Sequence, residues 1–230
     1  SIPFTMITEK AEELRNNKLT NVGCSFGVGL SWASLKFETD HLVIPELMRI
    51  LMDEHYYRSP GWFIHHQHFY DNYDRSVKVF SGEYAAHDHS VSESGLKNNL
   101  RCAIAEAAFL TGVERNADVV YLSSYAPLFA RIGYILWAPD LIWFDDKTCY
   151  GTPSFYVQQL YSKYTGSSTL KSSIDGGEEN GLFHSVSVDE VTGHRFIKVI
   201  NSKASAVKLG VDLSDAKSID MITLTGELTD

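Results

Sequence analysis

Cysteine is scarce: the chain of 230 residues holds three, Cys24, Cys102 and Cys149. Three thiols cannot all pair with one another, and their spacing fits neither a disulfide framework nor a zinc ligand set. Basic residues are in the minority, 20 Lys and Arg against 29 Asp and Glu, for a formal net charge of -9. A chain of that sign displaces no counterions from a polyanion, which excludes nucleic acid as the expected partner. No apolar run approaches the roughly 20 residues of a membrane helix. The N-terminal SIPFTMITEK lacks the basic-then-apolar pattern of a secretory leader. No Asn-x-Ser/Thr sequon and no His-Glu-x-x-His motif occurs. The chain therefore reads as soluble, with no membrane partner, and its compartment is left open between cytoplasmic and secreted.

What is present is ordinary for a globular protein: 44% hydrophobic and 21% charged residues, enough for one large domain or two small ones. TEKAEELRNNK is polar and helix-prone, and VGCSFGVGLSW after it reads as a glycine-spaced strand. Pro45 opens a short predicted helix, PELMRI, that runs into LMDEHYY. VKVFSGEYAA, residues 77–86, is a continuous β-prone run of the kind found in a strand buried on both faces. Asn98 to Leu110 carries apolar residues at helical spacing, with Gly112 as the expected stop. A second helical piece is predicted over ERNADVVYLSSYAPLF. RIGYILWAPDLIWFDD is expected as a strand interrupted at Pro139, and Pro153 starts an amphipathic helix, PSFYVQQLYSKY.

Strand and helix in alternation point to parallel βα units, in which carboxylates at strand ends carry the chemistry. Beyond Gly166 the texture changes. The Ser/Gly/Glu stretch KSSIDGGEENG precedes LFHSVSVD, HRFIKVIN, AVKLGVDL and SIDMITLTGEL, short alternating segments that predict an antiparallel β-sandwich. Five histidines, His65, His66, His68, His87 and His89, look superficially like a metal site. Helical spacing puts only His65 and His68 on one face, and no cysteine or His-Glu-x-x-His partner accompanies them, so surface histidines are the better reading. Cys102, in an alanine-rich helix, reads as a small apolar packing group.

MDEHYYRSPGWF, YDNYDRSVKVFSGEYA, AIAEAAFLTGVERNADVV, SSYAPLFARIGY, PDLIWFDD and YGTPSFYVQQLYS resemble, in order, the C-terminal blocks of family 51 glycoside hydrolases, the α-L-arabinofuranosidases. The resemblance covers residues 48–164 and, more weakly, 182–226. It implies an α/β fold, the C-terminal portion of a (β/α)8 barrel followed by an antiparallel β-sandwich. The expected organisation is an unassigned segment 1–44, barrel units 45–165, a linker 166–181 and the sandwich 182–230. It further implies hydrolysis, with retention, of terminal α-L-arabinofuranosyl residues from arabinan- or arabinoxylan-type oligosaccharides, with no cofactor or metal. A homo-oligomer is an expectation by resemblance only.

The family's nucleophile ends its seventh strand, in a block that resembles VFSGEYA, so that role falls on Glu83. MDEHYY resembles the end of the sixth strand, which makes His55 and Tyr57, with Tyr56 next, the expected sugar-site residues. Asp53 and Glu54 are alternative carboxylates there. Trp137 and Asp140, from the eighth-strand block, are expected to stack on and hydrogen-bond to the sugar, and His87 is a further contact close to Glu83. A retaining glycosidase needs a second carboxyl group about 5 Å from the nucleophile. The Gly-Asn-Glu type block that supplies it in the family does not occur here. Either the chain is the nucleophile half of a longer enzyme, or it is a non-catalytic carbohydrate-binding or structural remnant.

Overall fold

The computed structural model describes residues 12, 16–26, 32–40, 51–90 and 98–228. The chain forms two compact units, Ser1–Leu51 and Met52–Asp230. In the first, β1 (Lys18–Phe26) and β2 (Trp32–Asp40) make an antiparallel pair with Lys18 opposite Asp40 and Phe26 opposite Trp32. The strand expected in VGCSFGVGLSW is thus divided between two strands. The helix predicted over PELMRI, and most of TEKAEELRNNK, lie outside the described residues.

The second unit is α/β. Strands β3 (Leu51–Arg58), β4 (Lys78–Ala86) and β5 (Val120–Tyr125) form one sheet in that order. Helix α1 (Pro60–His65) follows β3, and α2 (Leu100–Arg115) connects β4 to β5. β4 and β5 are parallel, with Val79 opposite Val120 and Tyr84 opposite Tyr125. Parallel neighbours need such a crossover, so the β4–α2–β5 order is one βαβ unit. Tyr84, Ala85 and Ala86 at the end of β4 are fully buried, as its apolar sequence predicts.

Nearly every side chain of α2 from Leu100 to Val113 is buried, because the helix lies among α1, β4, α3 (Pro153–Lys163) and the C-terminal strands. A helix that is apolar all round belongs in such a position. Its entry is fixed by Asn99, whose Oδ1 accepts the Cys102 N–H at 2.9 Å. Gly112 does not stop the helix, which runs on to Arg115. Its lack of a side chain serves packing instead: a Cβ at Gly112 would sit 1.8 Å from the Gln67 carbonyl oxygen. In the segment read as a second helix, ERNADVVYLSSYAPLF, Glu114 and Arg115 end α2 and Val120–Tyr125 form β5. The β-branched and aromatic residues of VVYLSSY suit a pleated strand, and the open edge of β4 supplies the partner.

Beyond β5, short strands β6 (Phe129–Arg131), β7 (Ile142–Phe144) and β8 (Cys149–Gly151) form a small mixed sheet. Between β6 and β7 the predicted strand is a loop, exposed from Ile132 to Trp137 and buried from Pro139 to Leu141. Thr152 then caps α3, with Pro153 in its first turn, as predicted. β9 (Ser168–Thr169), β10 (Leu182–Val188) and β11 (Arg195–Asn201) form an antiparallel sheet. The stretch 166–181 therefore holds a strand and a short 3-10 helix at Glu178–Asn180. The sheet meets α2 through a polar contact: Glu114 accepts from Ser185 and from Lys198, and the Lys198 Nζ also lies 5.2 Å from the Tyr161 ring centre. The strands expected over AVKLGVDL and SIDMITLTGEL are not formed. Alternation is present, but among the described residues no strand pairs with them to complete a ladder, and Ile219 and Met221 are exposed. Among the described residues no helix is long and apolar enough to cross a membrane.

Gly112→Ala should lower stability by about 1–3 kcal/mol, since the methyl group must displace the Gln67 backbone. Gly61→Ala is the control, because nothing lies within 4 Å of its Cβ position. It should be neutral or stabilising by up to about 1 kcal/mol. Urea midpoints measure both.

Candidate active site

Alternation along β3 divides MDEHYYR between two faces. Asp53, His55 and Tyr57 point one way, Glu54 and Tyr56 the other. Glu83 on the adjacent β4 meets the first set. The Tyr57 hydroxyl donates to Glu83 Oε2 at 2.7 Å, and His55 Nδ1 lies 3.6 Å from the same oxygen. His55 Nε2 is 3.2 Å from Asp53 Oδ2, so the imidazole stands between two carboxylates. Glu83 remains 43% exposed, open to an incoming ligand. Burial, followed by the Glu83 carboxylate, raises the Tyr57 phenol above its ordinary value, which keeps it a hydrogen-bond donor.

Gly82 shapes this corner. A Cβ there would fall 2.1 Å from Asp53 Oδ1, so the Asp53 carboxylate occupies the space that a side chain at residue 82 would need. Asp53 was legible only as one of two alternative carboxylates, and Gly82 carried no signal in the sequence beyond its place beside Glu83.

The Trp137 ring lies edge-on to Tyr57 at 6.2 Å and 6.0 Å from His87, and it is 52% exposed. His87 in turn packs on Tyr57 at 5.4 Å. Burial, with the charge of His89 second, lowers the His87 imidazole below its usual value, favouring the neutral ring. The structure thus brings Glu83, His55, Tyr57, His87 and Trp137 together.

Tyr56 is turned away. It is buried against Trp62, Phe69 and Phe109, and its hydroxyl bonds to Glu54 and to Tyr70. Asp140 is buried, with its N–H donated to Asn98 Oδ1 at 2.8 Å and its Oδ2 without a hydrogen-bond partner. Burial pushes its carboxyl up to about 6, and none of these contacts is to Glu83 or Tyr57. The other histidines are engaged locally: His66 stacks on Trp62 at 4.1 Å, and His68 pairs with Asp71 and Glu178. Among the described residues no group of three or more His, Cys, Asp or Glu side chains could hold a metal ion.

Residues 82–230 match the family model of the alpha-L-arabinofuranosidase C-terminal domain. Over 141 residues, 61% of the chain, the sequence is 43% identical to an extracellular exo-alpha-L-arabinofuranosidase of Streptomyces chartreusis. Over 163 residues, 69% of the chain, it is 36% identical to alpha-L-arabinofuranosidase 2 of Arabidopsis thaliana. These matches span 16% and 23% of the two relatives, so the chain corresponds to less than a quarter of their length. Among solved structures, the arabinose-bound MgGH51 α-L-arabinofuranosidase aligns with a TM-score of 0.62 at 34% identity, over 67% of this chain and 26% of that one. The arabinose complex of the Thermotoga maritima α-L-arabinofuranosidase aligns with a TM-score of 0.50 over 64% of this chain and 37% of that one. At 17% identity it speaks to the fold alone.

On the far face of β3, Glu54 accepts from three phenols, those of Tyr56, Tyr70 and Tyr73. Tyr73, through that hydrogen bond first and burial second, is pushed up to about 12. Tyr73→Phe removes one donor to a carboxylate and should cost about 1–2 kcal/mol. Tyr70→Phe should cost more, because its hydroxyl meets both Glu54 and Tyr56. The Tyr56→Phe/Tyr70→Phe double variant should depart from additivity by at least about 0.5 kcal/mol in urea unfolding, since the two hydroxyls bond to each other.

Proposed function

The chain belongs to the α-L-arabinofuranosidase C-terminal domain family, and from that premise we propose that it supplies the nucleophile side of a retaining arabinofuranosidase site. Glu83 attacks the anomeric carbon of a terminal α-L-arabinofuranosyl residue of an arabinan- or arabinoxylan-type oligosaccharide, and water then hydrolyses the glycosyl ester. The observation that carries the reading is the aimed, solvent-open Glu83 carboxylate, held by the Tyr57 hydroxyl at 2.7 Å with His55 beside it. Among the described residues no lysine or arginine pairs with it, so its charge is not spent on a structural ion pair.

Tyr57 orients Glu83 in the free site, and its bond weakens as the carboxylate becomes the ester and re-forms as the ester is hydrolysed. Asp53 and Gly82 fix the imidazole of His55. Trp137 offers an apolar face at the rim on which a furanose ring can stack. The leaving-group oxygen needs a proton from a second carboxyl group, which on this reading comes from a Gly-Asn-Glu type segment outside the 230 residues. Residues 45–165 then serve as the last βα units of a (β/α)8 barrel, and residues 182–230 as part of a sandwich beside it. A second reading is a non-catalytic carbohydrate-binding protein, in which the exposed Trp137 ring beside Tyr57 and His87 holds a sugar without turnover.

The two readings separate when the chain replaces the matching segment of the Streptomyces chartreusis relative. On the catalytic reading the chimera hydrolyses aryl arabinofuranosides, and Glu83→Gln lowers turnover by about 10⁴-fold or more while arabinose still binds. Glu83→Gly should be rescued by azide with a β-L-arabinofuranosyl azide as product, because azide attacks from the side Glu83 occupied. Tyr57→Phe should lower kcat by about 10–100-fold where hydrolysis of the ester limits turnover, because the hydrogen bond to the departing carboxylate re-forms in that step. An unchanged rate in Glu83→Gln would show that another residue attacks.

A further inference from the structure

One carboxyl group sits in the middle of the alanine-rich helix α2. Glu106 is completely buried. Its Oε1 accepts the backbone N–H of Ala86 at 2.8 Å, and Ala86 is the last residue of β4, three residues beyond Glu83. The backbone explains why an acceptor is needed there. Successive N–H groups of a strand point to opposite sides. That of His87 reaches β3 and donates to the Arg58 carbonyl at 2.7 Å, so that of Ala86 points towards β5. The paired register with β5 stops at Tyr84 opposite Tyr125, and the chain then leaves the sheet at Ala126. The Glu106 carboxyl takes the place that the next strand carbonyl would have filled. An unpartnered buried N–H would otherwise remain at the site end of β4.

A glutamine or an ordinary strand carbonyl could serve as that acceptor without bringing a titrating proton. The surroundings of Glu106 contain Cys102 on α2 itself, Tyr84 on β4, Tyr125 on β5 and Ser154 on α3. Asp88 lies beyond Cys102, bonded to Ser90 and Asn99 and 3.8 Å from Arg101. No cation faces Glu106 among the described residues. Its Oε2 has no well-aligned hydrogen-bond partner, but the neighbouring Ser154 hydroxyl is near enough to favour its charge. Burial pushes the Glu106 carboxyl up to about 8, against the Ala86 N–H and the Ser154 hydroxyl, which favour the charged form. The same burial pushes the Cys102 thiol up to about 12 and raises the Tyr84 and Tyr125 phenols, so these neighbours stay neutral as well.

We propose that Glu106 is a positioning residue that, as a neutral carboxylic acid, stands in for a missing strand partner of Ala86 and pins the end of β4 that carries Glu83. An ionised Glu106 would still accept the bond, but its uncompensated charge favours states in which the contact between α2 and β4 opens to water. The link to catalysis rests on the reading of Glu83 above. The pinning of β4 does not, and the experiment reads the strand end itself.

The test uses the full chain, with Glu106→Gln and Glu106→Leu, followed by thermal unfolding and amide hydrogen exchange between pH 5 and pH 9. A carboxyl raised in the folded state from 4.5 to about 8 contributes stability that is fully present below the unfolded value and is lost as pH rises through the folded value. The Tm of the unsubstituted chain should therefore fall relative to Glu106→Gln across this range, by on the order of 10 °C. Glutamine keeps an acceptor, so Glu106→Gln should retain the protection of the Ala86 amide at every pH. Leucine fills the space without an acceptor, and at pH 6 it should lower Ala86 protection about tenfold relative to its neighbours. A Tm difference from Glu106→Gln that does not change with pH, or an Ala86 amide as protected in Glu106→Leu as in the unsubstituted chain, would overturn the proposal. Glu106→Gln alone decides the first point even if the leucine variant fails to fold.

Discussion

A slip of one residue between β3 and β4 would turn His55 and Tyr57 into the core and present Glu54 and Tyr56 to Glu83. The candidate site exists because that register is held from both faces. On one side three phenols converge on Glu54 and draw it into the layer beneath the sheet. On the other, the missing side chain at Gly82 leaves room for Asp53, which in turn flanks His55. Tyr57 then reaches Glu83, and Trp137 and His87 close around Tyr57. Each side chain has its place because the strand pairing is fixed first.

The same sheet shows how environment assigns different work to chemically identical groups. Glu54 is satisfied by hydroxyl donors and serves packing. Glu83 has one phenol, one imidazole and open solvent around it, the surroundings on which the proposed attack rests. Glu106 has one backbone donor, a nearby Ser154 hydroxyl and, among the described residues, no cation, and burial favours its proton. Asp140, buried by the loop after β6, is moved in the same direction as Glu106, to about 6.

Much of this was legible in the sequence where local pattern and tertiary context agree. The apolar run around VFSGEYA became β4 with Glu83 near its end, PSFYVQQLYSK became a helix behind its proline, and LFHSVSV with RFIKVIN became an antiparallel pair. The misreadings fall where a neighbour decides. VVYLSSY joins an apolar helix in sequence, and only the free edge of β4 makes it a strand. AVKLGVDL and SIDMITLTGEL alternate as strands do, but among the described residues no strand pairs with them. Gly112 looked like a helix stop because its contact, the Gln67 carbonyl, is 45 positions away in sequence. For the same reason Tyr56 could not be told from Tyr57, since the face each occupies depends on the register of β3. The presence of Glu106 was visible, but the backbone donor it serves belongs to another element.

The most direct measurement of the central claim, that Glu83 is the group that bonds to the sugar, is covalent trapping. A slowly turned-over activated arabinofuranoside, such as a dinitrophenyl 2-fluoro derivative, would be incubated with the chain assembled into a full-length relative, and the adduct located by peptide mass spectrometry. The account predicts a single arabinosyl ester on the peptide containing Glu83, lost on exposure to a good acceptor as turnover resumes. An ester on Asp53, Asp140 or any other carboxylate, or steady turnover with no ester at all, would contradict it.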